Sequence, residues 1–176
     1  MLQRRVQFAM CYGHPQVPGR LDEGRYPVLE LGKERLMPVC VSDAQGMPLY
    51  ALNSNDKVPI LAYTEASGLG RIMKQQLKGV FSAASGSPQI PGAAVVFTAH
   101  NALLIKAMVL KGKGVAWLPV RLVAEELQSG QLVECSQGRW QIPIDIRLYR
   151  QPAGMAKVAE TLWGVVSGAL EGAPSG

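Results

Sequence analysis

The sequence predicts an α/β fold, and three observations carry that prediction. Residues 95–133 parse as strand, helix, strand, helix, strand. Glycines and one proline fall where those helices should end and begin. The apolar runs are short, none approaching the roughly 20 residues that span a bilayer. Strands alternating with helices at this spacing argue for a parallel sheet.

Within this stretch, Val95–Phe97 is a short β-branched and aromatic run. Thr98 or Asn101 can open a helix, because a short polar side chain accepts a bond from an unpaired first-turn amide. Ala102–Leu110 is apolar on nearly every side, which predicts burial on most of its surface. Gly112 and Gly114 stop it. Val115–Leu118 is the second strand, and Pro119 suits entry to the next helix. Leu122, Val123, Glu126 and Leu127 follow helical spacing, Gly130 closes that helix, and Leu132–Val133 begins the third strand.

Upstream, Val6–Cys11 reads as a core strand. The arginines before it give a superficial likeness to a signal peptide, but Val6–Tyr12 contains Gln7 and no small-residue cleavage site follows. Gly13–Gly24 is a Gly/Pro-rich loop. Val28–Leu31 and Arg35–Val41 are two extended segments joined through Gly32-Lys33. Pro38 cannot donate to a ladder, so its strand lies at an edge or changes partner there. Ser42–Pro48 is a turn, Leu49–Leu52 is read as a single helical turn, and Asn53–Lys57 is loop. Val58–Tyr63 is a buried strand, and Ser67 can cap a helix carrying Leu69, Ile72, Met73 and Leu77. Ser82–Gly92 is a surface loop. Downstream, Ile142, Ile144, Ile146 and Leu148 alternate with Pro143, Asp145, Arg147 and Tyr149, the pattern of a half-buried strand. Met155, Val158, Ala159, Leu162, Val166 and Leu170 mark one face of a long amphipathic helix, and Glu171–Gly176 reads as a frayed end.

The net charge of +5 invites a nucleic-acid reading, yet the basic residues are scattered. Lys106, Lys111 and Lys113, the nearest to a cluster, sit at a helix end where cations are favourable anyway. No aromatic–basic interleaving suggests a base-stacking surface. The three cysteines, Cys11, Cys40 and Cys135, form no CxxC pair, which argues for a reducing compartment and against a disulfide framework. Cys11 and Cys40 lie in apolar runs and read as buried, inert thiols.

Enzyme signatures are missing: there is no GxGxxG, Walker loop, GxSxG or HExxH. His14 and His100 lack metal-ligand spacing, and no cofactor is called for. What the chain does have is helix starts that follow strands directly, at Thr64–Ser67 and at Thr98–Asn101. Such ends combine free amides, a positive dipole end and short polar side chains, which suits a small, often anionic, ligand. Ser67 and Thr98 serve equally as ordinary caps.

The ordered set of these motifs resembles the C-terminal effector-binding (substrate-binding) domain of LysR-type transcriptional regulators. The residues carrying the resemblance are the helix Thr98–Leu110, Lys111-Gly112-Lys113-Gly114, Val115-Ala116-Trp117-Leu118-Pro119 and Leu127-Gln128-Ser129-Gly130-Gln131-Leu132-Val133. Pro38-Val39-Cys40-Val41, Pro59-Ile60-Leu61, the Ser67–Leu77 helix, the return strand and the C-terminal helix follow in order. Arg35–Asp43, Gly70-Arg71, Gly114–Pro119 and Ser129–Val133 look most like the hypochlorite-responsive subgroup. Leu69 and Asn101 stand where that subgroup is expected to carry methionines. The family's winged helix-turn-helix, its linker helix and the first strand–helix portion of the effector domain have no counterpart here, so DNA would be engaged only through a missing N-terminal domain.

The resemblance implies two Rossmann-like subdomains like those of type 2 periplasmic binding proteins, the first incomplete at its N-terminus. Subdomain one would combine residues 1–42 and 144–176, and subdomain two residues 43–143, with hinge strands around Leu36–Val41 and Ile142–Tyr149. An effector would lie in the cleft, lined by Cys11, Tyr12 and His14 from the first and by Thr64, Ser67, Thr98, His100 and Trp117 from the second. The partners implied are a small-molecule effector and a second copy in a homodimer or higher homo-oligomer, in the cytoplasm, with no membrane. Two other readings remain open: an oxidant sensor acting through Met or Cys, and a solute-binding receptor domain of the same fold.

Overall fold

The computed structural model describes residues 6–21, 24–52, 57–78, 80, 90 and 92–172. The elements in chain order are β1 (Phe8–Gly13), β2 (Val28–Val41), β3 (Val58–Tyr63), α1 (Gly68–Gln76), β4 (Ala93–Ala99), α2 (Ala102–Leu110), β5 (Ala116–Pro119), a 3-10 turn (Val120–Val123), α3 (Ala124–Gln128), β6 (Leu132–Glu134), β7 (Ile142–Arg150) and α4 (Lys157–Glu171). The chain divides into two compact units, Met1–Lys33 with Asp145–Gly176, and Glu34–Ile144. The fold class read from the sequence, α/β of the periplasmic-binding-protein type, is the one observed, with corrections in strand pairing and burial.

In the first unit β1 pairs antiparallel with β7, from Phe8↔Arg150 to Gly13↔Asp145. A Cβ at Gly13 would stand 2.4 Å from Arg147 Nε, so any other residue there would displace that arginine side chain. α4 is fixed by one composite contact. Trp163 stacks on Phe8 with ring centroids 6.3 Å apart, and the Arg150 guanidinium lies 5.5 Å over the same indole. Arg150 also grips both Glu160 carboxylate oxygens at 2.8 Å, the fork geometry that makes such pairs strong. The periodic apolar face of α4 is not buried as predicted. Among its described residues only Ala159 is, while Val158 is 82% and Leu162 50% exposed. Cys11, on the terminal strand β1, is likewise exposed and not buried as its apolar run predicts.

The second unit is built on β3. β4 pairs with it in parallel, Val58↔Ala93 to Tyr63↔Ala99, with a register shift between Ile60 and Leu61. On its other edge Val115 donates to the Pro59 carbonyl and accepts from Leu61, both at 2.9 Å. The parallel sheet predicted for residues 95–133 is therefore only partly realised. β5 and β6 pair antiparallel with β2, over Leu36–Val39 and Val39–Val41 respectively. β2 is one 14-residue strand rather than two segments, and it changes partner at Val39, the residue after Pro38. Leu49–Leu52 is not helical, and its first and last amides are bonded to other segments. Leu49 donates to Val41 and Leu52 to Cys135, each at 3.0 Å.

Trp117 and Leu118 of β5 are fully buried with Leu36, Ile60, Leu61 and Leu132. Trp117 Nε1 donates to the Trp140 carbonyl at 2.7 Å and its own carbonyl accepts from Tyr63 at 3.1 Å, so the large ring enters the core with its polar handle satisfied. α2 buries only Ile105 and Val109, and Leu103 is 67% exposed, less than its uniform apolarity predicts. Lys106 ties α2 to the following 3-10 turn through Leu122 O at 2.8 Å and to α3 through Glu126 at 2.7 Å. Pro119 leads into the 3-10 turn before α3 begins. The predicted loops Asn53–Lys57 and Ser82–Gly92, and the frayed end, lie largely outside the described residues. No helix among the described residues is long and apolar enough to cross a membrane.

Gly114 joins α2 to β5 at φ +153°, where a Cβ would stand 2.3 Å from Pro59 O. Gly114→Ala is expected to lower stability by about 1–3 kcal/mol, the usual cost of overpacking, measured as an earlier urea midpoint with an unchanged slope.

Candidate functional site

Two parallel strands end side by side in the second unit. Thr64, the residue after β3, donates its amide to Ala99 O at 2.9 Å and so extends the ladder one residue past the strand. Thr64 Oγ1 lies 3.2 Å from His100 Nδ1. The hydroxyl and the imidazole therefore stand together at the C-terminal ends of β3 and β4, where sheets of this type present ligand-binding groups.

Ser67, predicted beside them, has a different task. It is 6% exposed. Its Oγ donates to Thr64 O and accepts from Gly70 N, both at 2.9 Å, so both hydrogen-bonding capacities serve the cap of α1. The cap of α2 is Asn101, whose Oδ1 accepts from Leu104 N at 2.9 Å. Thr98 lies inside β4 and is exposed, free of the capping role. Trp117 does not reach this surface, being fully buried in the core; its place there corrects the lining role read from the sequence.

From the strand ends a groove of about 500 Å³ runs along α1. Its floor is one pleat face of the sheet, Ile60, Ala62, Val95 and Thr98. Its wall is one helical stripe, Gly70, Met73, Lys74, Leu77 and Lys78, at the spacing that aligns side chains on one face. Gly70 brings the first turn of α1 against β3, since a Cβ there would meet Thr64 O at 2.0 Å. Lys74 pairs with Glu65 at 2.8 Å on the exposed rim. The groove is apolar along its length and polar at the Thr64 end and the lysine side. The stripe of α1 was visible in the sequence as helical spacing. The floor was missed because Val95 and Thr98 come together on one face only through the register shift that the β3–β4 pair carries.

In the first unit, His14 closes β1 and is 6% exposed. Its Nδ1 accepts from Gln16 N at 3.1 Å, which assigns the ring proton to Nε2 when the imidazole is neutral. A cavity of about 720 Å³ is lined by residues 14–19, Leu21 and Arg147. Cys11 and Tyr12, predicted to share a site with His14, are not among its walls; Tyr12 is half-buried on β1. Behind Arg147 is a charge cluster that sequence reading missed. Asp145, 4% exposed, accepts from Arg147 at 2.8 Å and from Lys33 at 3.0 Å. Burial pushes its carboxyl up, and the bonds from Arg147 and Lys33 outweigh this and hold it below its usual value. The alternation of β7 had placed Asp145 on the polar face, so its burial had no signal. Among the described residues no group of three or more His, Cys, Asp or Glu could hold a metal ion.

The family model described as LysR substrate binding domain matches residues 1–171. Over 143 residues the chain is 34% identical to the HTH domain-truncated transcriptional regulator QseD of Escherichia coli O157:H7, covering 81% of this chain and 55% of that protein. It is 33% identical to the HTH-type transcriptional regulator YjiE of Escherichia coli K12, covering 81% of this chain and 44% of that one. The chain thus spans about half the length of the curated relatives it matches. The full-length structure of HypT from Salmonella typhimurium, a hypochlorite-specific LysR-type transcriptional regulator, superposes with a TM-score of 0.79 at 26% identity, covering 98% of this chain and 56% of that one. The apo regulatory domain of the same protein gives a TM-score of 0.78 at 25% identity, covering 98% and 76%.

A carboxyl held below its unfolded value of 3.8 contributes stability that is complete above that pH and is lost as pH falls through the folded value. Asp145→Asn is expected to be less stable than the parent at pH 7, where Arg147 loses its counter-charge. The gap should narrow as the pH drops below 4. Denaturation midpoints across an acid series check this.

Proposed function

Because the chain belongs to the LysR substrate binding domain family, we propose that it is the effector-sensing regulatory part of a LysR-type DNA-binding transcriptional regulator, and that it binds its ligand rather than transforms it. The two compact units are taken as the two subdomains of that architecture. The observation that carries the reading is the Thr64–His100 contact at 3.2 Å, which sets two polar groups at the ends of parallel strands, at the mouth of a preformed apolar groove. This arrangement suits a small amphipathic effector: a polar or anionic group meets Thr64, Thr98 and His100, and an apolar body lies along Met73 and Leu77. In the first unit, the His14–Arg147 cavity is the complementary candidate.

In the complete regulator the binding of effector biases a homodimer equilibrium by its differential affinity for two states. DNA is engaged by a separate helix-turn-helix domain, and the protein works in the cytoplasm. The transcriptional regulators among its relatives support these assignments. Oxidant sensing is the second reading. HypT is hypochlorite-specific, and this chain exposes Met10 by 70% and Met47 by 62%, thioethers that an oxidant in solution can reach.

A thermal-shift series with benzoate and with octanoate tests the first reading. The expected result is a concentration-dependent rise in midpoint, equivalent to about 2.7 kcal/mol at 100 times the dissociation constant, abolished in Thr64→Val/His100→Ala while the unliganded midpoint is retained. No shift with either probe, together with methionine sulfoxide as the sole response to hypochlorite, would favour the second reading.

A further inference from the structure

α4 turns an uncharged apolar stripe to solvent although its other side is anchored. The Trp163–Phe8 stack and the Arg150–Glu160 fork hold the inner side. On the outer side Val158 is 82%, Val165 65% and Leu162 50% exposed. Gly168, Ala169 and Gly172 continue the stripe and are exposed too. Positions 158, 162, 165, 169 and 172 alternate steps of four and three, the spacing of a seam between paired helices. No charged residue lies between Glu160 and Glu171. Among the described residues no element covers this stripe, and an exposed apolar stripe of this kind marks an interaction surface. Side-chain size is graded along it. Its N-terminal half carries Val158 and Leu162, its C-terminal half only glycine and alanine. A Cβ at Gly168 would meet nothing within 4 Å, so a neighbour can approach the helix backbone there.

We propose that this stripe is the contact face of a homodimer, in which α4 pairs antiparallel with α4 of a second copy about a two-fold axis at Val165. A two-fold contact must be complementary to itself, and this stripe is so in one direction only. Run antiparallel, Val165 meets its own counterpart. Leu162 then lies against Ala169 of the partner subunit, and Val158 against Gly172 of the partner subunit. On the other flank Thr161 meets Gly168 of the partner subunit. Large side chains thus face small ones, as dense packing requires. Run parallel, leucine meets leucine at one end and glycine meets glycine at the other, which sets bulk against bulk and leaves a gap. Charge agrees with the antiparallel choice. α4 begins at Lys157 and ends at Glu171, both exposed. Antiparallel pairing sets the lysine of each copy beside the glutamate of the other, whereas parallel pairing sets like charges together. The two helix dipoles also oppose one another. A helix of 15 residues is about 22 Å long, so the contact is at the small end of specific interfaces and the dimer is reversible. This pairing gives a face to the homodimer of the functional reading, yet it needs no effector and stands or falls apart from the strand-end site.

The test uses the whole, unliganded chain in sedimentation velocity over a dilution series. The expected result is the mass of two chains at high concentration, falling to that of one on dilution. Val165→Glu should give the mass of one chain throughout, with its thermal midpoint retained. Lys157→Glu and Glu171→Lys should each raise the dissociation constant several-fold, and the two together should restore it, since the reversed charges pair again. Direction is read by cross-linking in a Cys11→Ser background. Val165→Cys should form a disulfide-linked dimer, and Val158→Cys should not, because its two copies lie at opposite ends of the pair. If Val165→Glu fails to fold, the cross-linking variants decide. A natural chain that keeps the mass of one chain at every concentration overturns the proposal, and gives α4 to another segment or another protein. A dimer that survives Val165→Glu, or links through Val158→Cys, overturns it as well.

Discussion

The backbone of β3 is approached at less than side-chain distance from two directions, and the second unit depends on that closeness. At its start, Gly114 lies against Pro59 O, which lets Val115 bond both Pro59 and Leu61. Just past its end, Gly70 lies against Thr64 O, which lets α1 begin directly over the strand terminus. Neither approach tolerates a methyl group without movement. Because both hold, β4 and the chain leading into β5 flank β3 on its two edges, Trp117 is enclosed, and Thr64 is delivered next to His100. The site at the strand ends is thus a consequence of backbone packing, and its polar groups need no strain to meet.

Polar groups in the interior follow the same economy. Trp117 and Ser67 each spend their hydrogen bonds on the fold, and so does the exposed cap Asn101. Thr98 and His100 keep exposed surface. This division separates the residues that build the strand-end site from those that can meet a ligand. In the first unit, charge takes the structural role instead: Asp145 gathers Arg147 and Lys33, and Arg150 with Glu160 fixes α4 through Trp163.

Much of this was legible in the residues. The punctuation at Gly112, Gly114 and Gly130, the cap at Ser67 and the partner change next to Pro38 all follow from local rules, because they concern groups within a few residues of each other. Strand direction did not follow. Alternation of strand and helix says that β4 and β5 lie near β3, but β2, which arrives from far along the chain, decides that β5 and β6 pair antiparallel. Burial was misjudged for related reasons. Trp117 was read as lining because the resemblance implied it, whereas its indole N–H meets the Trp140 carbonyl inside the core. Met155–Leu170 shows a clean helical period, yet periodicity says which side chains share a face and nothing of what covers it. Asp145 is the converse: its place in an alternating strand marks it as outward, while Arg147 and Lys33 make its burial tolerable.

Gly13 shows how a neutral residue can govern charge. Arg147 crosses β1 where that glycine carries only hydrogen, and from there it reaches Asp145. Any side chain at position 13 would shift the guanidinium first and the carboxylate's electrostatic environment second. The ionisation of a buried acid is thus tuned by the smallest residue on the neighbouring strand. Substitutions there would register in titration as well as in packing, although no titratable group had been altered.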